Sequence, residues 1–203
     1  MIAPEDAFAP FDVVPSSECK PEPELFSGRK TNVDQIDLDL VKSWVRSCDH
    51  WHGPECTGGT PSSSGLPEHF SPFIRLLDLD EDHLVKLREP GPYLAPSYVW
   101  GRQEEVFKTL GNTIEELEVS GGLSAHQGRF PNSIQDAIAL IKVLRYRFLW
   151  IDSLCIIQDS VTDKSTQLAA MDLIYTLSTL TIVAASGDNA NAGLAGLRRG
   201  SGI

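Results

Sequence analysis

Polar and reactive side chains follow an apolar run in the second half of the sequence. Residues 146–159 read YRFLWIDSLCIIQD, and the run FLWI within them has the composition of a buried strand. In open α/β sheets, binding sites form just beyond the carboxyl ends of the strands, where the loops emerge. The spacing therefore predicts a cleft at this strand end, lined by Asp152, Ser153, Cys155, Gln158 and Asp159.

An earlier extended run, YLAPSYVW at 93–100, ends in a second set of polar side chains. Because parallel strands bring their carboxyl ends to one edge of a sheet, we expect this set to face the same cleft as the first. Its members are Ser97, Tyr98, Trp100 and Gly101. Pro96 lacks the N–H that a strand donates, so we expect an edge or a bulge at that residue.

The chemical roles of these side chains have alternatives. Asp152 could be a ligand-binding or catalytic carboxylate, as strand-end carboxylates in α/β folds often are, but the simpler interpretation is that it caps a helix or stabilises a loop. A nucleophilic Cys155 would need an activating base or a helix N-terminus, and no histidine lies near it in sequence. The simpler interpretation of Cys155 is a small buried side chain. Ser97 and Tyr98 suit packing or loop hydrogen bonds better than catalysis, and Trp100 suits the core.

Cysteine and histidine residues cluster near the end of a short amphipathic helix, which the apolar spacing predicts from Asp34 to about Cys48. Cys48, His50, His52 and Cys56 are of the types that form tetrahedral zinc sites. Their spacing contains no C-x-x-C pair and fits no familiar zinc finger. We therefore predict no metal site, with these four residues as the alternative zinc ligands.

The second half of the sequence alternates between strand-like and helix-like patterns. Apolar residues at helical spacing predict helices over 133–145 and 163–178, and apolar runs predict buried strands over 148–151 and 180–185. Together with the run 93–100, this order is typical of right-handed βαβ units. We therefore predict an α/β fold with a parallel-sheet core and flanking helices.

A short amphipathic helix and a β-hairpin are predicted ahead of this core. The β-like runs 73–79 and 83–88 are separated by three acidic residues, which suits a hairpin. We accordingly expect three regions: a flexible acidic and proline-rich leader over 1–33, a lead-in of helix, loop and hairpin over 34–92, and the core over 93–203.

The composition excludes several classes of partner. With 28 acidic and 17 basic residues, the net charge of −11 disfavours binding to nucleic acid or to anionic lipid. No apolar run approaches the roughly 18 residues that a membrane-spanning helix needs. The N-terminus lacks the basic and apolar segments of a secretory signal, and the four cysteines are sparse. We therefore expect reduced thiols, no membrane partner and a cytoplasmic location.

Five blocks of the sequence, taken in order, resemble the fungal heterokaryon incompatibility (HET) domain. They are YLAPSYVWG at 93–101, FPNSIQDAI at 130–138, YRFLWIDSLCIIQDS at 146–160, MDLIY at 171–175 and LTIVAASGDNANAGLAG at 180–196. Upstream, residues 43–56 and 75–87 resemble the lead-in of these proteins, so the similarity covers most of 34–203.

This resemblance implies a fungal nonself-recognition protein, of the kind that triggers growth arrest or programmed cell death when incompatible cells fuse. Such a domain would act as an effector through contacts with other proteins, including self-association. The family has also been likened to Toll/interleukin-receptor (TIR) domains, which have a flavodoxin-like sheet. Some TIR domains cleave NAD with a glutamate on a later helix, so this analogy implies an NAD glycohydrolase as the alternative function and NAD as its cofactor.

The chain departs from the family pattern at three places. Pro96 stands where the family usually has leucine, and Arg145 stands where it commonly has glycine. The sequence ends in GLRRGSGI, ahead of the Arg-Trp-x-x-Gln-Glu block with which the family normally continues. If that glutamate performs the chemistry in active members, we expect this chain to be a truncated domain without detectable enzyme activity. A non-functional fragment of a longer gene product is a further alternative.

Overall fold

The computed structural model describes residues 34–52, 73–102, 106–198 and 201. The predicted leader over 1–33 lies outside the described residues, as does most of the predicted loop in the lead-in. Val33–Ile203 forms one compact unit.

Five β-strands of this unit form one sheet. The strands are β1 (Ile74–Asp78), β2 (His83–Leu87), β3 (Tyr93–Ser97), β4 (Phe148–Leu149) and β5 (Leu180–Val183). Their order in space is β2-β1-β4-β3-β5. β3 runs parallel to its neighbours β4 and β5, whereas β1 runs antiparallel to β2 and to β4.

The α/β class predicted from the sequence is confirmed, but the prediction of a parallel sheet is only partly right because the sheet is mixed. Three strands, β4, β3 and β5, are parallel. β1 joins them through antiparallel pairing in which Leu77 lies opposite Leu149. The two strands that the sequence assigned to the lead-in therefore extend the same sheet, and a flavodoxin-like or TIR-like topology is not established.

Helices connect and flank these strands. They are α1 (Leu38–His52), α2 (Ile114–Leu117), α3 (Gly122–His126), α4 (Asn132–Leu144), α5 (Asp152–Cys155), α6 (Val161–Ala169) and α7 (Met171–Leu177), with a 3-10 turn at Gln127–Arg129. The chain passes from β3 through α2, α3, the 3-10 turn and α4 to β4, and then through α5, α6 and α7 to β5. The core between these elements is apolar, and Trp150, Leu94, Ile141 and Leu149 in it are completely buried.

The helix predicted over 133–145 is α4. Its inner face carries Ile134, Ile138 and Ile141, all buried, because residues three and four apart lie on one side of a helix. The helix ends at Arg145, whose φ of 65° is left-handed and reverses the chain.

The helix predicted over 163–178 is two helices, α6 and α7, which are divided at Ala170. The N–H of Ala170 bonds to the carbonyl of Gln167, so the last turn of α6 tightens. Ala170 is buried and α7 begins directly after it, with Ile174 completely buried.

Pro96 lies inside the sheet rather than at its edge, because β3 has a paired strand on either side. The neighbouring β4 pairs only as far as Leu149, with one more bond from Trp150 N to Leu94 O at 2.8 Å. In a parallel strand, the backbone groups of alternate residues face the same neighbour, so those of Pro96 face the side of β4, as those of Leu94 do. β4 has already ended at the level of Pro96. The Pro96 carbonyl accepts a hydrogen bond from the Tyr175 hydroxyl at 3.2 Å instead.

The last strand, β5, is not the buried strand that the sequence predicted. It lies at an edge of the sheet, and its residues alternate between half-buried and exposed. Leu180 and Ile182 pack against the core, whereas Thr181 and Val183 are exposed. An apolar β-branched run alone does not distinguish an edge strand from a central one.

Candidate functional site

The structure brings four of the predicted cleft residues together at the end of β3. The indole Nε1–H of Trp100 donates to Asp152 Oδ2 at 2.8 Å, and the Tyr98 hydroxyl donates to Ser153 Oγ at 2.9 Å. Trp100 and Tyr98 follow β3, whereas Asp152 and Ser153 begin α5. We call these four residues the strand-end cluster, and its two side-chain bonds fasten the segment after β3 to α5.

The Asp152 carboxylate is also bound within α5. Its Oδ1 accepts the Ser153 backbone N–H at 2.7 Å. Burial raises the pKa of Asp152, and the hydrogen bonds from Ser153 and Trp100 act in the opposite direction without overcoming it. Both carboxylate oxygens therefore have partners inside the protein.

Tyr98 remains protonated through the physiological range. Burial raises the pKa of its hydroxyl, and the nearby Asp152 carboxylate raises it further. The hydroxyl is therefore a permanent donor to Ser153, whose own side chain is completely buried.

Cys155 is completely buried, and burial raises the pKa of its thiol to about 12. The sulfur accepts the Ile151 N–H at 3.3 Å. A nucleophilic cysteine needs a thiolate that a substrate can reach, so this environment suits the small buried side chain that was the simpler interpretation of the sequence.

Gln158 and Asp159 fasten a different segment of the chain. The Gln158 amide donates to the Asp152 carbonyl at 3.0 Å, and Asp159 Oδ1 accepts the Gly111 N–H at 2.8 Å. Between them, the Gln158 N–H donates to the Thr109 carbonyl at 2.9 Å. Both side chains thus brace the loop after α5 against the segment around Thr109.

Thr109 is a buried polar residue that the sequence interpretation missed. Its N–H donates to the Ser153 carbonyl at 2.9 Å and its hydroxyl donates to the Leu154 carbonyl at 2.7 Å. A lone threonine ahead of a glycine carries little signal in a sequence, because its partners lie more than forty residues away.

Ser97 and Gly101, the other predicted cleft residues, contact the segment after β5 rather than α5. Ser97 is exposed, and its carbonyl accepts the Ala184 N–H at 2.9 Å. Gly101 has a φ of 75°, and a Cβ placed on it would lie 2.5 Å from Asn189 Cβ. Only glycine fits at this crossing of two backbone segments.

The segment 187–198, here called the strap, closes over the start of α4. Buried Asp136 accepts the Leu194 N–H at 2.9 Å and the Arg198 Nε–H at 2.7 Å. Ser133 and Asp136 have the spacing of a capping box, yet the Ser133 N–H donates to the Ala190 carbonyl at 2.9 Å. The strap therefore takes the place of a side-chain cap on α4.

Arg75 anchors α5 from the sheet. This completely buried guanidinium donates to the Cys155 carbonyl at 2.6 Å and to the Asp163 carboxylate at 3.2 and 3.3 Å. Asp163 also accepts the Ile157 N–H at 2.8 Å. The Arg75 side chain thus links β1 to both ends of the loop between α5 and α6, by a hydrogen bond to Cys155 and an ion pair with Asp163.

Of the alternative zinc ligands, Cys48 and His50 lie on α1, whereas the His52 side chain and Cys56 lie outside the described part of the structure. Within the described residues, no group of three or more His, Cys, Asp or Glu side chains has the geometry to hold a metal ion. Among those same residues, no helix is long and apolar enough to cross a membrane.

Comparison with known proteins gives a consistent result. The chain is 33% identical over 125 residues to heterokaryon incompatibility protein 6, OR allele, of Neurospora crassa. That match covers 52% of this chain and only 17% of the relative. No solved structure gives a significant match. Residues 93–202, which are more than half of the 203 residues, match the family described as heterokaryon incompatibility protein (HET), and the chain therefore belongs to the HET family.

Proposed function

We propose that this chain carries a fungal nonself-recognition domain that signals through contacts with other proteins. The HET family match and the name of the Neurospora relative support the incompatibility role. The chain spans less than a fifth of that relative. A role in growth arrest or cell death is therefore part of the proposal and is not carried over from the relative.

The observation that carries this proposal is the internal bonding of the strand-end cluster. A catalytic carboxylate or hydroxyl must present a lone pair or a proton to a substrate. Here Asp152 accepts from Trp100 and from its neighbouring amide, and Tyr98 donates to Ser153. These groups stabilise the shape of the surface beside them, which suits recognition of a partner.

The edge of the sheet next to the cluster provides a surface for such a partner. Val183 is 65% exposed, and it lies opposite the exposed Ser97 in the pairing of β5 with β3. Val99 is 52% exposed just beyond Ser97. An edge strand with exposed apolar side chains is a ready template for pairing with another chain.

Growth of fungal hyphae tests this proposal. The full chain is expressed from an inducible promoter, and colony extension and uptake of a vital dye are measured. We expect induction to arrest growth, and Val183→Glu to relieve the arrest by placing a charge on the sheet edge. Val161→Glu is the matched control, because Val161 is 85% exposed at the start of α6, outside β5.

Two results would count against the proposal. Unimpaired growth in cells that accumulate the folded chain would remove the effector role. Equal arrest by the parent, Val183→Glu and Val161→Glu would exclude the edge of β5 as the contact surface.

Cleavage of NAD is a second candidate, favoured by one observation. The half-buried Asp152 carboxyl lies at the end of a parallel strand and desolvation raises its pKa, and perturbed carboxyl groups of this kind concentrate at functional sites. This reading expects the purified chain to release nicotinamide from NAD and Asp152→Asn to stop the release. Our proposal expects no release above the level of that variant.

A further inference from the structure

Two tryptophans are exposed on one face of α1. The side chain of Trp44 is 58% exposed and that of Trp51 is 77% exposed. Because they lie seven residues apart, about two turns of a helix, they share one stripe. Half-buried Leu40 and Cys48 lie on the same stripe.

The start of α1 is attached to the rest of the domain. The Ile36 N–H donates to the Gly196 carbonyl at 2.8 Å, and Leu38 packs against the core. Trp44 and Trp51 lie further along the helix, and both are exposed. Tryptophan is enriched where proteins meet, since each buries about 150–250 Å² of surface.

The charge of α1 suits a second copy of this chain. Residues 38–52 contain two acidic side chains, Asp39 and Asp49, and two basic ones, Lys42 and Arg46, so their formal charge is zero in a chain of charge −11. Two acidic chains repel each other over most of their surfaces. Contact through α1 joins two neutral surfaces, so it minimises this repulsion.

We infer that two copies of the chain pair through α1, with the helices antiparallel about a two-fold axis near Ser47 and Cys48. This arrangement sets Trp44 of one copy against the partner's Trp51, and the same contact then repeats across the axis. The inference rests on the proposed function, because it names the chain itself as one of the proteins that the domain contacts.

The area of this contact indicates a reversible dimer. Trp44 is 58% exposed and Trp51 is 77% exposed, so the four tryptophan side chains of a pair supply roughly 400–700 Å². Leu40 and the flanking residues add to it, and the total stays below the lower limit of about 1,200 Å² for stable interfaces. Interfaces of that size are typical of transient signalling contacts, so we expect dimers to form over roughly 1–100 µM.

Sedimentation of the full chain over that concentration range tests the inference. The parent is expected to shift from monomer to dimer, and the variant Trp44→Glu with Trp51→Glu is expected to stay monomeric with an unchanged far-UV circular dichroism spectrum and urea midpoint. Val119→Glu is the matched control, because Val119 is 57% exposed and is not part of α1, and this variant should dimerise like the parent.

Cross-linking gives a second measurement that does not depend on a charge substitution. A short bismaleimide should join Cys48 of two copies, as peptide mapping would show, and Cys48→Ser should remove that product. A parent chain that is monomeric throughout overturns the inference, whether its tryptophans are open to a quencher or covered by another part of the chain. So does dimerisation of the double tryptophan variant equal to that of the parent.

The two proposals fail in different ways. A monomeric chain that still arrests growth would overturn pairing through α1 and leave the proposed function standing. A chain that dimerises without affecting growth would do the reverse.

Discussion

Trp100 and Asp152 form the contact on which the end of β3 depends. The indole donates to a half-buried carboxylate. Trp100→Phe keeps an aromatic ring but leaves this acceptor without its donor, so we expect a loss of about 1 kcal/mol in the free energy of unfolding. Urea unfolding measures it.

The control for this substitution is Trp51→Phe, the same change at a residue that is 77% exposed. At concentrations where the chain is monomeric, it should alter stability by no more than about 0.5 kcal/mol. Equal effects of the two substitutions would show that the bond to Asp152 contributes nothing particular.

Asp152 should also make stability depend on pH in an identifiable direction. Its pKa is raised by burial, so the folded chain holds this proton more tightly than the unfolded chain does. Stability from this group is therefore greatest below its unfolded pKa of about 3.8 and falls as pH rises through the folded pKa.

The measurement is the difference in free energy of unfolding between the parent and Asp152→Asn as a function of pH. We expect the parent to lose stability relative to the variant as pH rises through that window, and the difference then to level off. Burial alone would raise the pKa of Asp78, but hydrogen bonds from Arg147 and from two backbone amides lower it. Its contribution to stability therefore changes with pH in the opposite direction, but it is the same in both proteins and cancels in the difference. A difference that grows in favour of the parent would contradict the assignment.

At the scale of residues, the sequence predicted which side chains gather but not what they do there. Tyr98, Trp100, Asp152 and Ser153 were all chosen because they follow strand-like runs, and the structure brings them into contact. Their pairing with one another depends on the loop path after β3. No local pattern encodes that path, so an open cleft and a closed cluster look alike in sequence.

The strap contains a glycine, Gly193, whose conformation and surroundings both disfavour any other residue. Gly193 has a φ of 78°, and a Cβ on it would lie 2.6 Å from Asp136 Oδ2. Gly193→Ala therefore combines a left-handed residue with displacement of a buried carboxylate, and we expect it to cost more than the about 1–2 kcal/mol of the conformation alone.

Gly121→Ala provides the comparison for Gly193→Ala. Gly121 has a similar φ of 83°, with nothing within 4 Å of the added Cβ. The difference between the two unfolding free energies isolates the contact with Asp136. A smaller loss for Gly193→Ala than for Gly121→Ala would mean that the strap does not hold Asp136.

Arg75 and Asp163 couple β1 to α6 through a buried ion pair. Arg75→Met leaves the Cys155 carbonyl and the Asp163 carboxylate without the guanidinium, and we expect a loss of about 3–5 kcal/mol. Asp163→Asn should also destabilise the fold, because it leaves the buried guanidinium with only the more distant Glu118 carboxylate, 3.9 Å from its Nε, as a counter-charge.

A double-mutant cycle measures this coupling. Arg75→Met combined with Asp163→Asn should cost less than the sum of the single losses, by about 1–3 kcal/mol. Additive losses would place the two side chains outside any direct interaction.

At the scale of elements, the sequence predicted those with a clear periodicity and missed those that depend on long-range pairing. α4 falls within one residue of its predicted bounds, since its apolar stripe is regular. The sheet was predicted to be wholly parallel. The antiparallel pairing of β1 with β4 was missed, because it joins distant parts of the chain. The exposure of β5 was missed for the same reason, because an edge is a property of the whole sheet.

The molecule as a whole combines a closed strand-end cluster with an exposed sheet edge and an exposed aromatic face on α1. This combination favours recognition over turnover, because the polar groups support structure while apolar side chains face outwards. Membership of the HET family agrees with the resemblance seen in the sequence blocks. The contacts proposed for the domain follow from its exposed surfaces. Which side chains are exposed can be read only once the fold is known.

The most direct test of this account is the NAD content of hyphae as expression of the chain arrests their growth. If the domain signals through protein contacts, growth stops while NAD per viable cell stays at the level of uninduced hyphae, and Asp152→Asn acts only through any loss of folded protein. If NAD falls before growth stops, and a folded Asp152→Asn chain prevents both changes, the domain is an enzyme and the account is wrong.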